Sequence, residues 1–60
     1  MERLLSVDQA SEILNIARVT VYKFVASGKI PHLKIGRRVL FKPEQLQKWI
    51  EEHSVQVRNV

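Results

Sequence analysis

Arg18, Thr20, Tyr22 and Lys23 fall in one short stretch, and no Asp or Glu occurs anywhere from Ile13 through Pro43. Their shared chemistry is donation: a guanidinium, a hydroxyl, a phenol and an ammonium, with Val19 adding an apolar contact. At 3.6 residues per turn, Val21, Phe24 and Val25 share one face, with Ala17 close to their stripe. Val19, Tyr22, Lys23 and Ala26 take the opposite face, flanked by Arg18 and Thr20. Surface helices usually interleave both signs of charge. A wet face of donors and small apolar groups suits a negative, groove-shaped partner, a description that double-stranded DNA fits.

Each side chain has a sharp reading and a plain one. Arg18 and Lys23 suit guanine O6 and N7 or a phosphate, and the choice between base and phosphate stays open. Their plain reading is as solvated cations. Val19 and Thr20 suit a thymine methyl or a phosphate, although Thr20 has the alternative of bonding its own helix backbone. The Tyr22 phenol suits a phosphate oxygen, and its ring equally suits packing against a neighbouring element. A second basic group follows at Lys34, Gly36, Arg37 and Arg38. There Gly36 permits a sharp turn, and two adjacent arginines at a hairpin tip suit phosphate or minor groove. Charged tips are also common without any ligand. Lys29 is a further candidate for the DNA backbone.

Other chemistries find no constellation. The chain has no Cys, so thiolate catalysis, disulfides and Cys-based zinc sites are excluded. His32 and His53 stand alone, without an HExxH pair, a Gly-rich phosphate loop or a Ser/His/Asp set. The reading is therefore no enzyme, no cofactor and no metal. No apolar run approaches the ~20 residues that span a bilayer, and no signal-peptide core is present, so the expected compartment is the cytoplasm without membrane association.

The charge distribution agrees with the residue chemistry. The sixty residues carry a net +4, with an isoelectric point near 10. Residues 13–43 hold Arg18, Lys23, Lys29, Lys34, Arg37, Arg38 and Lys42 and net +7, whereas the flanks net −3. Such segregation is a nucleic-acid footprint. It predicts cations on one side of the molecule and acids on the other.

The elements that must position these groups follow from pattern. Leu4 and Leu5 suit a small strand or a lid. Ser6 and Gln9 make a capping box, Asp8 suits the first turn, and Val7, Ala10, Ile13 and Leu14 give a helix over 7–14. Asn15 tolerates the left-handed helix end, and Ile16 is expected between two helices. A second helix over 17–27 stops at Gly28. Two short helices on a three-residue connection have helix-turn-helix geometry. Pro31 forces an extended bend. Residues 32–35 and 39–41 predict a hairpin around a three-residue loop, 36–38, which puts Leu33, Ile35, Val39 and Phe41 on one buried face. Pro43 and Glu44 open a third helix with Leu46, Trp49 and Ile50 inward and His53 at its negative end. The expected organisation is one domain over 1–53 and a flexible tail over 54–60.

The run T-V-Y-K-F-V-A-S-G-K-I-P-H-L-K-I-G-R-R-V-L-F-K-P-E-Q-L-Q-K-W-I resembles the excisionase-type winged helix-turn-helix, similar in turn to the DNA-binding domain of MerR-type regulators. L-L-S-V-D-Q-A-S-E-I-L-N-I fits its first helix, so the resemblance covers about 4–53. It implies a mainly α fold of three helices with a two- or three-stranded wing. It also implies a second helix in the major groove and the 36–38 wing on backbone or minor groove. Asn15 stands where the family often has Gly, and Ala17 where a Ser or Thr cap is common, a loss of about 1 kcal/mol.

These readings point to sequence-specific DNA binding by an excisionase-like architectural factor in recombination, or by a small transcriptional regulator. One small module implies further partners: a recombinase or other DNA-bound protein, or cooperative self-association through Val55, Val57 and Val60. The competing class is an adaptor that sets the basic face against an acidic protein.

Overall fold

In a computed structural model, residues 3–54 are described, and they form three helices and a three-stranded antiparallel sheet. In chain order the elements are β1 (Leu5–Ser6), α1 (Val7–Leu14), α2 (Arg18–Ala26), β2 (Leu33–Ile35), β3 (Arg38–Phe41) and α3 (Pro43–Glu52). This is the arrangement of a winged helix-turn-helix. Of the tail expected over 54–60, residues 55–60, with Val55, Val57 and Val60, lie outside the described residues.

Local chemistry sets the helix ends. Ser6 Oγ accepts from the Gln9 backbone N–H at 3.1 Å, and Gln9 Oε1 accepts from the Ser6 N–H at 2.9 Å. Two otherwise orphaned donors are thereby satisfied at the start of α1. At its end Asn15 takes φ 57°, and the N–H groups of Asn15 and Ile16 reach back to Glu12 and Ser11. Gly28 does the same for α2 at φ 69°, with bonds from Gly28 to Val25 and from Lys29 to Phe24. Both closures are Schellman pairs, so each turn is hydrogen-bonded rather than loose.

The start of α2 is different. Ala17 occupies the N-cap with extended backbone and no side-chain cap. Ala17→Ser is therefore expected to stabilise the fold by about 0.5–1 kcal/mol. In a domain of this size that raises the melting temperature by roughly 2–8 °C. A calorimetric scan showing no rise would mean that the cap geometry is already satisfied by other groups.

Among the described residues six side chains make the core: Val7 and Ala10 from α1, Val21 from α2, Ile30 from the bend, Phe41 from β3 and Leu46 from α3. Leu5, Leu14, Ile16, Phe24, Val25, Val39, Trp49 and Ile50 pack around them. Trp49 also ties α3 to the end of α2. Its Nε1–H donates to the Lys29 carbonyl at 2.8 Å, and its ring lies 5.8 Å from Phe24 and 4.2 Å from His53. Ile13, expected in the inward stripe of α1, is 54 % exposed. The short helix turns Val7, Ala10 and Leu14 inward, and an eight-residue element has only one side against the core.

The hairpin departs from the expected register. Leu33 pairs with Leu40, Lys34 with Val39 and Ile35 with Arg38, leaving a two-residue turn at Gly36-Arg37. Gly36 has φ 60° and Arg37 does not have positive φ, the pattern of a type II′ turn with Gly at its first central position. The inner face is set from the other side of β3, where Leu5 of β1 pairs with Phe41. Leu5, Val39 and Phe41 thus face the helices, while Leu33, Ile35 and Leu40 share the outer face. Expecting every apolar residue of β2 to be buried gave the wrong loop. β2 is an edge strand, and Ile30, just before it, supplies the buried side chain instead. Arg38 is consequently the first residue of β3, not part of the turn.

Candidate nucleic-acid interface

Packing of α1 and Val21 against the core turns the opposite side of α2 outward. Val19 is 61 % exposed and Tyr22 52 % exposed, with Lys23 and Ala26 also open to solvent. By helical position, Val19, Lys23 and Ala26 project directly away from the core. Arg18 and Tyr22 lie on one flank of that strip, and Thr20 is half-buried on the other. Tyr22 is half-covered where it faces the wing and half open to solvent. Phe24 and Val25 lie inward as their spacing implied.

The flank that carries Arg18 and Tyr22 faces the wing. An open cleft of about 250 Å³ is lined by both of them, by Arg37 and Arg38 of the hairpin, and by Asp8 of α1. Residues twenty positions apart in sequence thus share one concave surface. Lys34 and Gly36 are exposed on the same hairpin outside that lining, and Thr20 and Lys23 stand apart from it on α2. The first turn of α2 adds backbone donors. Ala17 accepts from the N–H groups of Thr20 and Val21, whereas those of Arg18 and Val19 have no backbone acceptor among the described residues. Free N–H groups at the positive end of a helix attract anions.

Asp8 corrects the expectation that all acids lie on the far side. Arg18 Nη1 donates to Asp8 Oδ1 at 2.6 Å, and both side chains are about two-thirds exposed. This bond, with the attraction of the carboxylate behind it, holds the Arg18 guanidinium above its ordinary pKa. Sequence reasoning placed Asp8 only as a first-turn acid of α1. The two residues are ten positions apart, and only the angle between α1 and α2 brings them into contact. Among the described residues no group of three His, Asp or Glu could hold a metal ion, and no helix is long and apolar enough to cross a membrane.

The same span of chain matches a family model described as a helix-turn-helix domain, over residues 4–54. Comparison with curated proteins and with solved structures gives no match.

Proposed function

The chain belongs to the helix-turn-helix domain family, whose members are excisionase-like small DNA-binding domains, and from that premise we propose that it binds double-stranded DNA sequence-specifically. In this reading α2 enters the major groove and presents Arg18, Val19, Thr20, Tyr22 and Lys23 to the DNA, with Arg18 and Tyr22 on the flank nearer the wing. The hairpin carrying Lys34, Gly36, Arg37 and Arg38 straddles the neighbouring backbone or minor groove. The observation that supports it best is the shared cleft: Arg18 and Tyr22 of the helix and Arg37 and Arg38 of the wing line one open surface, where Asp8 is the one acid and is paired with Arg18.

We read its role as an excisionase-like architectural one, in which the protein bends DNA within a recombination complex in the cytoplasm. A domain this small makes an interface at the low end for specific DNA recognition. Useful occupancy then comes from several protomers side by side or from a recombinase bound next to it. Family membership supports DNA binding, and a small transcriptional regulator of the same fold is the alternative reading.

Salt dependence tests the DNA reading. If one protomer neutralises about five phosphates, log K falls against log salt with a slope near −4 to −5. Fluorescence anisotropy on a labelled duplex from 50 to 300 mM salt, a range of the order over which such effects are large, measures it. A slope near zero, or equal binding to an acidic polypeptide, would favour the adaptor reading instead.

A further inference from the structure

We propose that Arg18 contacts a base edge and not a phosphate, and that Asp8 is the residue that directs it there. This inference rests on the DNA-binding reading above. It starts from the contact at the head of the two helices. Asp8 stands in the first turn of α1, Arg18 is the first residue of α2, and Nη1 meets Oδ1 at 2.6 Å. A pair this exposed contributes little to folding. Its consequence lies in what the guanidinium then presents to the outside.

The carboxylate offsets the positive charge of Arg18, so the pair exerts little net pull on a phosphate. A phosphate approaching closely enough to bond Arg18 also meets the negative charge of Asp8. Guanine O6 and N7 are neutral acceptors, and the repulsion they feel from Asp8 is correspondingly smaller. Arginine has five N–H donors in a rigid fork, so engaging one nitrogen leaves others free for a base. The bond to Asp8 also orders the side chain before DNA arrives, which lowers the cost of fixing it on binding.

The rest of the cleft is suited to the complementary task. Arg37 and Arg38 line the same surface and form no ion pair among the described residues, so their charge is fully available to a phosphate. The cleft therefore divides its work. Wing arginines carry the sequence-independent attraction, and the buttressed arginine of α2 carries discrimination.

The test compares wild type, Arg18→Ala and Asp8→Asn on two duplexes. One is selected by the wild-type protein from a randomised library, and the other is its scrambled counterpart. Circular dichroism checks that both variants fold. Asp8→Asn keeps the side-chain shape while removing its charge. For Arg18→Ala we expect a loss common to both duplexes from the uncovered Asp8 carboxylate and, beyond it, about 5- to 150-fold weaker binding to the selected duplex alone. For Asp8→Asn we expect tighter binding to the scrambled duplex, a slope steeper by about 0.9 and a smaller ratio between the two duplexes. If Arg18→Ala weakens both duplexes alike and leaves the ratio between them unchanged, Arg18 reads no base and the proposal fails. An unchanged ratio for Asp8→Asn overturns the role of Asp8. Wild-type protein that binds no duplex even at low salt fails the DNA-binding reading itself, a separate outcome from the other two.

Discussion

Phe41→Ala is expected to remove most of the folded population of this protein. The phenyl ring is fully buried, on β3 opposite Leu5, in the cluster that joins the sheet to α1, α2 and α3. Truncating a buried Phe costs about 3–5 kcal/mol, combining lost transfer energy with the cavity left behind. At roughly 0.05–0.15 kcal/mol per residue, a chain of this length holds about 3–9 kcal/mol in total. The loss is therefore comparable to the whole stability, and DNA affinity should fall in proportion to the folded fraction. A thermal melt by circular dichroism should show a drop of at least about 12 °C. Ile35→Ala makes the informative control. Ile35 is 56 % exposed on the outer face of the edge strand and should change stability by less than about 0.5 kcal/mol. Had the hairpin closed through three residues, Ile35 would be buried and its truncation would be costly. Equal losses for both variants would contradict the two-residue register.

The second large effect is on binding. Replacing Arg37 and Arg38 together by alanine is expected to weaken association with every duplex by about thirty-fold at 0.15 M salt. That figure follows from two lost phosphate contacts, each of which contributes about 0.9 to the slope of log K against log salt. The slope should become shallower by about 1.8 while the preference among sequences is retained. Both side chains are exposed, and neither makes a hydrogen bond or ion pair among the described residues, so the fold should be unaffected. Unchanged DNA affinity in the double variant would detach the wing from the interface and leave α2 to act alone.

Much of this architecture was legible in the chain because local chemistry decides it. The capping box at Ser6 and Gln9, left-handed Asn15, the closure at Gly28 and Pro43 at the head of α3 each act through bonds within a few residues. The spacing of Val7, Ala10 and Leu14, of Val21, Phe24 and Val25, and of Leu46, Trp49 and Ile50 marked the inward faces for the same reason. Local pattern was a poorer guide where burial depends on distant partners. Ile13 fits the period of α1 yet is exposed, because the core covers only one side of a two-turn helix. Ile30 has no periodic signature and is nearly fully buried, since its place comes from the bend that carries the chain from α2 into the sheet.

The candidate interface divides along the same line. Residue types and charge segregation alone determined that one stretch of the chain is basic, donor-rich and free of carboxylates, and that it sits on a short helix followed by a hairpin. Tertiary structure decided which of those groups meet. It put Arg18 and Tyr22 beside Arg37 and Arg38, moved Arg38 out of the turn, and brought Asp8 to Arg18. The physical reason is one of range. Helix caps and periodicity are settled by neighbours within a turn or two, whereas strand register and the angle between helices are settled by which side chains fill a common core.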